Sequence, residues 1–288
     1  SPESLIGHTK DGTSFHVPKF LGEHWNIPQL FDPVAGDPNA VIEPLDFQLT
    51  KFMVVELFVA FCCVAIFSWV ALKASSGERP KGQLWNMFEG MLLFLRDQVA
   101  RPAIGHDADK FLPFLWTMFF FVLGCNLLGM VPWAGSPTGA FAVTIVLALC
   151  TFSVVVISGS MEFGVIGFWK NQVPHMDLPL ALAIFLKPMI FVIEVVGLLI
   201  KHFVLAVRLL ANMLAGHVVL GVLVAFISVV AALEYVQSYS HPLMIGVSLA
   251  SILGAVAISL LELFVAFLQA YIFTFLSALF IGAAVHEH

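Results

Sequence analysis

Residues 198–223 read LLIKHFVLAVRLLANMLAGHVVLGVL, an apolar run long enough to cross a bilayer as a helix, with Arg208 near its middle. Arg208 is also the last Lys or Arg in a chain of 288 residues. A guanidinium stays charged at any physiological pH, so burial does not neutralise it as it would a lysine or a carboxylate. At a bilayer centre such a charge costs roughly 2.5 kcal/mol on insertion scales. A residue that expensive has a charged partner or a task.

The charge is part of a stripe. Lys187, Glu194, Lys201 and Arg208 recur at intervals of seven residues. Seven residues at about 100° each drift only about 20°, so the four share one helix face. Asn212 lies one turn beyond Arg208 on the same side. Ionisable residues within a membrane usually face a water-filled cavity or a protein partner. The plainer alternative is that Lys187 and Lys201 snorkel from their ends and Glu194 pairs with a lysine. His202 is off the stripe and reads as an interfacial histidine.

Composition agrees with a bilayer. The chain is 60% hydrophobic and 11% charged, with mean hydropathy +0.96, against roughly 25% charged residues in a soluble domain. A transmembrane β-barrel would alternate polarity in segments of about ten residues, which is absent. The fold expected is an all-α membrane protein, with residues 1–48 as an extramembrane segment and 49–288 as a polytopic helical domain. Cys62, Cys63, Cys125 and Cys150 lie in apolar runs without CxxC spacing and read as small buried hydrophobes. The formal charge of −6 and the lack of a polybasic run argue against nucleic acid as a partner. Ser1 in place of an initiator Met points to processing or trimming.

Outward from the stripe, residues 1–50 are polar and rich in Pro, Gly, Asp and His, and read as turns with a short hairpin. A first span follows at about 49–72. The stretch 73–110 holds Lys73, Arg79, Lys81, Arg96, Arg101 and Lys110. The positive-inside rule puts it on the cytoplasmic or matrix side, with the N-terminus on the outer side. Within it LWNMFEGMLLFLRDQV (84–99) is apolar but short and charged, which suits an amphipathic helix in the interface plane. A second span is expected at about 111–131, then a turn (PWAGSPTG, 132–139) and a third span near 140–157. The loop MEFGVIGFWKNQVPHMD (161–177) returns to the inner side, with His175 and Asp177 as accessory polar candidates. Two long segments close the chain, 178–214 with Pro179 and Pro188, and 217–285 with a break near SYSHP (238–242). That makes about five transmembrane helices plus one interfacial helix. A helix of 37 residues spans about 55 Å against a core of roughly 30 Å, so such segments kink, split or tilt.

The last segment holds a second polar set. Glu262 sits in AISLLELFVAFLQAYIF (257–273), and Gln269 follows seven residues later on the same face. His217 is nine residues past Arg208, about 180° round its helix. His217 and Glu262 can each hold and release a proton, and buried on adjacent helices they form a proton relay. Metal binding by the same two is the rival reading, weakened because only two ligands are visible.

The run AVRLLANMLAGH (206–217), preceded by Glu194 and followed by ELFVAFLQAYIFTFLSALFI (262–281), resembles subunit a of the F-type ATP synthase. RPKGQLWNMFEGMLLFLRDQV (79–99) and KFLPFLWTMFFFVLGCNLLGMVP (110–132) extend the resemblance over most of 45–288. The resemblance implies a proton-conducting stator element in a bacterial plasma membrane or mitochondrial inner membrane. It implies as partners a rotating c-ring, a peripheral stalk of subunit b type and other membrane-sector subunits. The translocated ion is then H⁺, with no cofactor. Arg208 matches the arginine that faces the ring carboxylate, and His217 and Glu262 match a His/Glu pair exchanged between relatives. Asn212 and Gln269 match polar residues near the arginine, and Glu194 an acid of the inner half-channel. The role of Lys201 stays open. The two long segments would be tilted, nearly horizontal helices forming a hairpin along the rotor ring.

Two other classes compete. A secondary transporter or channel would use Arg208 to bind an anion, yet no internal repeat or matched pair of broken helices is present. A non-conducting structural subunit leaves the buried charges unexplained. With no P-loop motif, nucleotide chemistry belongs elsewhere.

Overall fold

The computed structural model describes residues 14–16, 24–26, 50–75, 82–131, 135–172, 180–237 and 241–286. The protein is an all-α membrane protein, and among the described residues five helical stretches are long and apolar enough to cross a bilayer. Before them stands a small antiparallel pair, β1 (Ser14–His16) and β2 (His24–Asn26), with Phe15 opposite Trp25. It matches the hairpin expected in the polar leader.

Helix α1 (Lys51–Ser75) is the first span. Its Leu57, Phe58, Phe61, Val64 and Leu72 are exposed, as lipid-facing side chains are where water is absent. Helix α2 (Gln83–Phe94) covers most of the expected interfacial helix. It runs on through a π-helical stretch, Leu95–Ala100, and a short turn, Arg101–Ile104. Gly105, with φ of 78°, adopts a backbone that L side chains rarely take and turns the chain into α3 (Ala108–Gly129). By length and composition alone, Trp85–Gly129 counts as a single apolar run. The interfacial helix and second span are thus joined by irregular helix and not by an open loop. Helix α4 (Phe141–Phe163) is the third span, longer at its end than the expected 157, and short α5 (Val165–Asn171) follows.

The long segments depart from the expected boundaries. Helix α6 runs unbroken from Leu180 to Gln237 over 58 residues, through Pro188 and through the expected division between 214 and 217. Ala215 and Gly216 were too weak a break: glycine in a helix interior costs only about 1 kcal/mol, and a mid-helix proline kinks without always ending the helix. Helix α7 runs from His241 to Val285 over 45 residues. At 1.5 Å per residue these helices measure about 87 and 68 Å, more than twice the roughly 30 Å hydrocarbon core. Neither can stand upright within it.

The chain divides into two compact units. The first comprises Ser1–Cys62, Gly124–Ala140 and Asn212–Ala266. In it the end of α3 approaches α1 at Gly124, where an added Cβ would come within 2.8 Å of Val59 Cγ1. The second comprises Cys63–Leu123, Phe141–Ala211 and Phe267–His288. Its core holds Leu95, Val99, Ile104, Leu115, Val122, Val155, Leu205, Leu209, Phe273 and Ile281. Small residues let backbones meet there. A Cβ on Gly282 would fall on the Ala103 carbonyl, and one on Gly159 would fall on the Phe168 ring. Such close approach drives helix packing in lipid, where burying apolar area gains little. Trp116 Nε1 donates to the Leu92 carbonyl at 3.2 Å, tying α3 to α2. Lys73 lies over the Trp69 and Trp85 rings at 5.0 and 5.6 Å, joining the end of α1 to the start of α2. The two long helices pack on each other within each unit, as the expected hairpin requires: Gly216 against Glu262 in the first, His202 against Phe280 at 4.9 Å in the second.

Candidate functional site

In the second unit, Glu194 and Arg208 are half-buried on α6, and Lys187 and Lys201 are exposed. Their helix face is otherwise apolar and open, with Val192, Val196, Leu199, Phe203 and Val204 exposed around them. Among the described residues none of these four charges forms an ion pair. The pairing of Glu194 with a lysine, the plainer sequence alternative, is therefore not found. Ion pairs among the described residues are found around the α2–α3 junction: Arg96 with Asp109 at 3.3 Å, Arg101 with Asp97 at 3.1 Å, Lys110 with Asp107 at 2.7 Å. Gln269 is buried on α7, at 3% exposure.

His202 is buried, and its Nδ1 lies 2.8 Å from the Leu198 carbonyl, between the Phe152 and Phe280 rings. It is a buried histidine packed between aromatic rings and hydrogen-bonded to its own helix. His175 and Asp177 lie outside the described residues.

In the first unit, Asn212 is exposed on α6. Glu262 projects from α7 towards α6 and is only 6% exposed. Its carboxyl rests against Gly216, where an added Cβ would fall on Glu262 Oε1 and lie 2.9 Å from Cδ. The neighbour of Gly216 in sequence is His217. The structure thus brings the His and the Glu to facing turns of two packed helices. They do not share a direct hydrogen bond: His217 Nε2 and Glu262 Oε1 are both buried and unpartnered among the described residues. Buried polar atoms are normally satisfied, and two unsatisfied, titratable atoms at one level of a helix pair suit a site where water enters.

Gly216 is a residue of the candidate site that sequence reading missed. In ANMLAGH it reads as a helix weak point, and only the packing shows that it makes room for a carboxyl. Gly216→Ala should therefore displace the Glu262 carboxyl without removing any titratable group from the chain. For the proton relay expected of His217 and Glu262, the result is a loss of proton flux of about tenfold or more, since a misplaced reacting group costs up to about a hundredfold. Passive proton flux in vesicles measures it, and wild-type flux would show that the contact is incidental.

Asn126, Thr138 and Ser136 were also missed. They form a buried hydrogen-bonded chain that reaches α7 at Ala266. The only sequence signal was a lone Asn among apolar residues in FVLGCNLLGM (121–130). No cluster of three His, Cys, Asp or Glu that could hold a metal ion occurs among the described residues. His217 and Glu262 alone do not complete a coordination sphere.

Comparison with known proteins follows the same residues. Residues 53–282 match the family described as ATP synthase A chain. The chain is 38% identical over 292 residues to ATP synthase subunit a of Myxococcus xanthus, a match covering 100% of this chain and 89% of that one. It is 40% identical over 283 residues to ATP synthase subunit a 2 of Chlorobaculum tepidum, covering 97% and 72%. It is 37% identical over 292 residues to ATP synthase subunit a of Chloroherpeton thalassium, covering 99% and 78%.

Proposed function

We propose, because this chain belongs to the ATP synthase A chain family, that it is the stator subunit through which protons reach and leave a rotating ring of small hairpin subunits. The observation that carries this reading is Arg208, a permanent charge on an open apolar face, without an ion-pair partner among the described residues. Its counter-charge then comes from outside the chain, and a ring carboxylate supplies it.

Two aqueous half-channels, neither crossing the whole membrane, meet the ring at different points. From the outer side, protons pass His217 and Glu262 and protonate a ring carboxylate. A neutral carboxyl can then turn through lipid without the cost of moving a charge there. After nearly a full turn it meets the second half-channel near Glu194, where it releases its proton inward. Asn212 and Gln269 serve as polar residues near the arginine, and Lys201, His175 and Asp177 are accessory polar residues.

Arg208 separates the two channels. Its charge favours the ionised carboxylate that passes it, by the attraction of opposite charges. The same charge repels hydronium and blocks a direct leak. Each proton that crosses 100 mV delivers about 2.3 kcal/mol, and the barrier at Arg208 routes that energy through rotation. The chain is not an enzyme alone; the chemistry of ATP belongs to other subunits. A peripheral stalk holds it against the torque, with its N-terminus on the outer side of a bacterial plasma membrane or mitochondrial inner membrane.

Purification tests the assignment directly. Mild detergent extraction of the tagged full chain should bring down a ring of small hairpin subunits together with stalk components. Reconstituted chain that moves ions or solutes without any ring would replace the reading by that of a self-contained transporter.

A further inference from the structure

The buried chain of Asn126, Thr138 and Ser136 has no place in the proton path described above. Asn126 and Thr138 are fully buried and Ser136 nearly so. Thr138 Oγ1 donates to Asn126 Oδ1 at 2.9 Å. With that hydrogen committed, the 3.0 Å contact between Ser136 and Thr138 has Ser136 as its donor. Asn126 Nδ2 donates to the Ala266 carbonyl at 3.3 Å. All donors therefore point one way, from the connection between α3 and α4 to a backbone carbonyl of α7. Aligned hydrogen bonds of this kind strengthen one another in a low-dielectric interior.

Ala266 lies one helical turn beyond Glu262, and both are buried on the same side of α7. Two successive turns of α7 are thus held. Gly216 accepts the Glu262 carboxyl, and Asn126 grips the Ala266 carbonyl. The amide can do this in one orientation only, since its oxygen turned towards Ala266 would set two acceptors face to face. Thr138 selects that orientation by donating to the oxygen. Gly129 allows the loop to fold back this far, because a Cβ there would come within 2.6 Å of Ser136 Oγ.

We infer that Thr138, backed by Ser136, is a positioning residue of the outer half-channel: through Asn126 it fixes the turn of α7 that carries Glu262. The inference rests on the proton-conducting reading of this chain. Removing the hydroxyl leaves Asn126 Oδ1 buried without its donor, with no bulk water in the bilayer core to replace it.

The test uses the intact membrane sector in vesicles, with passive proton flux driven by a potential and measured across a range of outer pH. Thr138→Val, nearly the same shape, should lower flux by about tenfold, the factor for one orphaned buried acceptor. It should also displace the outer pH of half-maximal flux, at unchanged complex assembly. Thr138→Ser should restore both. A purely structural role would reduce assembled complex without displacing that pH. Wild-type flux and pH dependence in assembled Thr138→Val would overturn the inference, as would a loss that Thr138→Ser does not repair. If Thr138→Val does not assemble, Ser136→Ala decides, with reduced flux and a displaced pH in support and wild-type behaviour against. Arg208→Ala in vesicles that hold the full complex separates the two failures: coupled synthesis surviving that change removes the conducting reading itself, whereas its loss beside wild-type Thr138→Val removes only the role of Thr138.

Discussion

Arg208→Ala should abolish coupled ATP synthesis in vesicles that hold the full complex, and raise the passive proton leak. Under the proposed function, alanine removes the charge that favours an ionised ring carboxylate, so the carboxyl keeps its proton as it passes and nothing is released inward. It also removes the repulsion that keeps hydronium from crossing between the half-channels. Helix α6 should survive the change, because alanine is the best helix former and Arg208 makes no ion pair among the described residues. Arg208→Lys should recover little. A desolvated ammonium loses its proton readily, whereas a guanidinium does not, and lysine lacks the planar fork that grips a carboxylate in two places. Synthesis rates, ring copurification and leak measured together separate the outcomes. Coupled synthesis retained in Arg208→Ala, with the ring present, would sink the assignment of Arg208.

Much of the fold was legible because it depends on local composition. Apolar runs of the right length mark spans wherever they occur, and a stripe at intervals of seven declares itself without tertiary information. The hairpin around β1 and β2 was legible from turn residues in a polar leader. The division placed between 214 and 217 was not, because a glycine inside a helix looks the same in sequence whether it ends the helix or admits a side chain from a neighbour. Gly216 does the second. The hydrogen bond from Asn126 to Ala266 joins residues 140 apart, and no periodicity in either segment announces it. Thr138 read as part of a turn for the same reason: its partner lies across a fold, and nothing adjacent in sequence explains its burial. The π-helical stretch at Leu95–Ala100 carries no proline or glycine to mark it. Charged and apolar residues reveal themselves singly, while small polar ones acquire meaning only from what they face.

The second large effect concerns the His217 and Glu262 pair. His217→Glu alone and Glu262→His alone should each lower passive proton flux by about a hundredfold, the lower end of what a positioned acid or base contributes. The first change sets two carboxyls at one level of the helix pair, where ionising both is disfavoured by like charge. The second sets two imidazoles there, with the mirror difficulty for the protonated forms. The double exchange restores one acid and one base to the same pair of turns and should recover flux to within about tenfold of wild type. Recovery will be incomplete for a reason visible in the packing. The groove at Gly216 fits a carboxyl whose Oε1 nearly touches the glycine, and an imidazole at 262 is broader. The absence of a direct hydrogen bond between the two native groups makes the exchange a sharper test, because no bonded geometry between them has to be rebuilt and only the identities and positions of the two groups matter. Residues that act independently would gain nothing from exchange, and the losses of the single changes would simply add. Flux in the double variant no greater than in the better single one means that the two residues do not act as a relay.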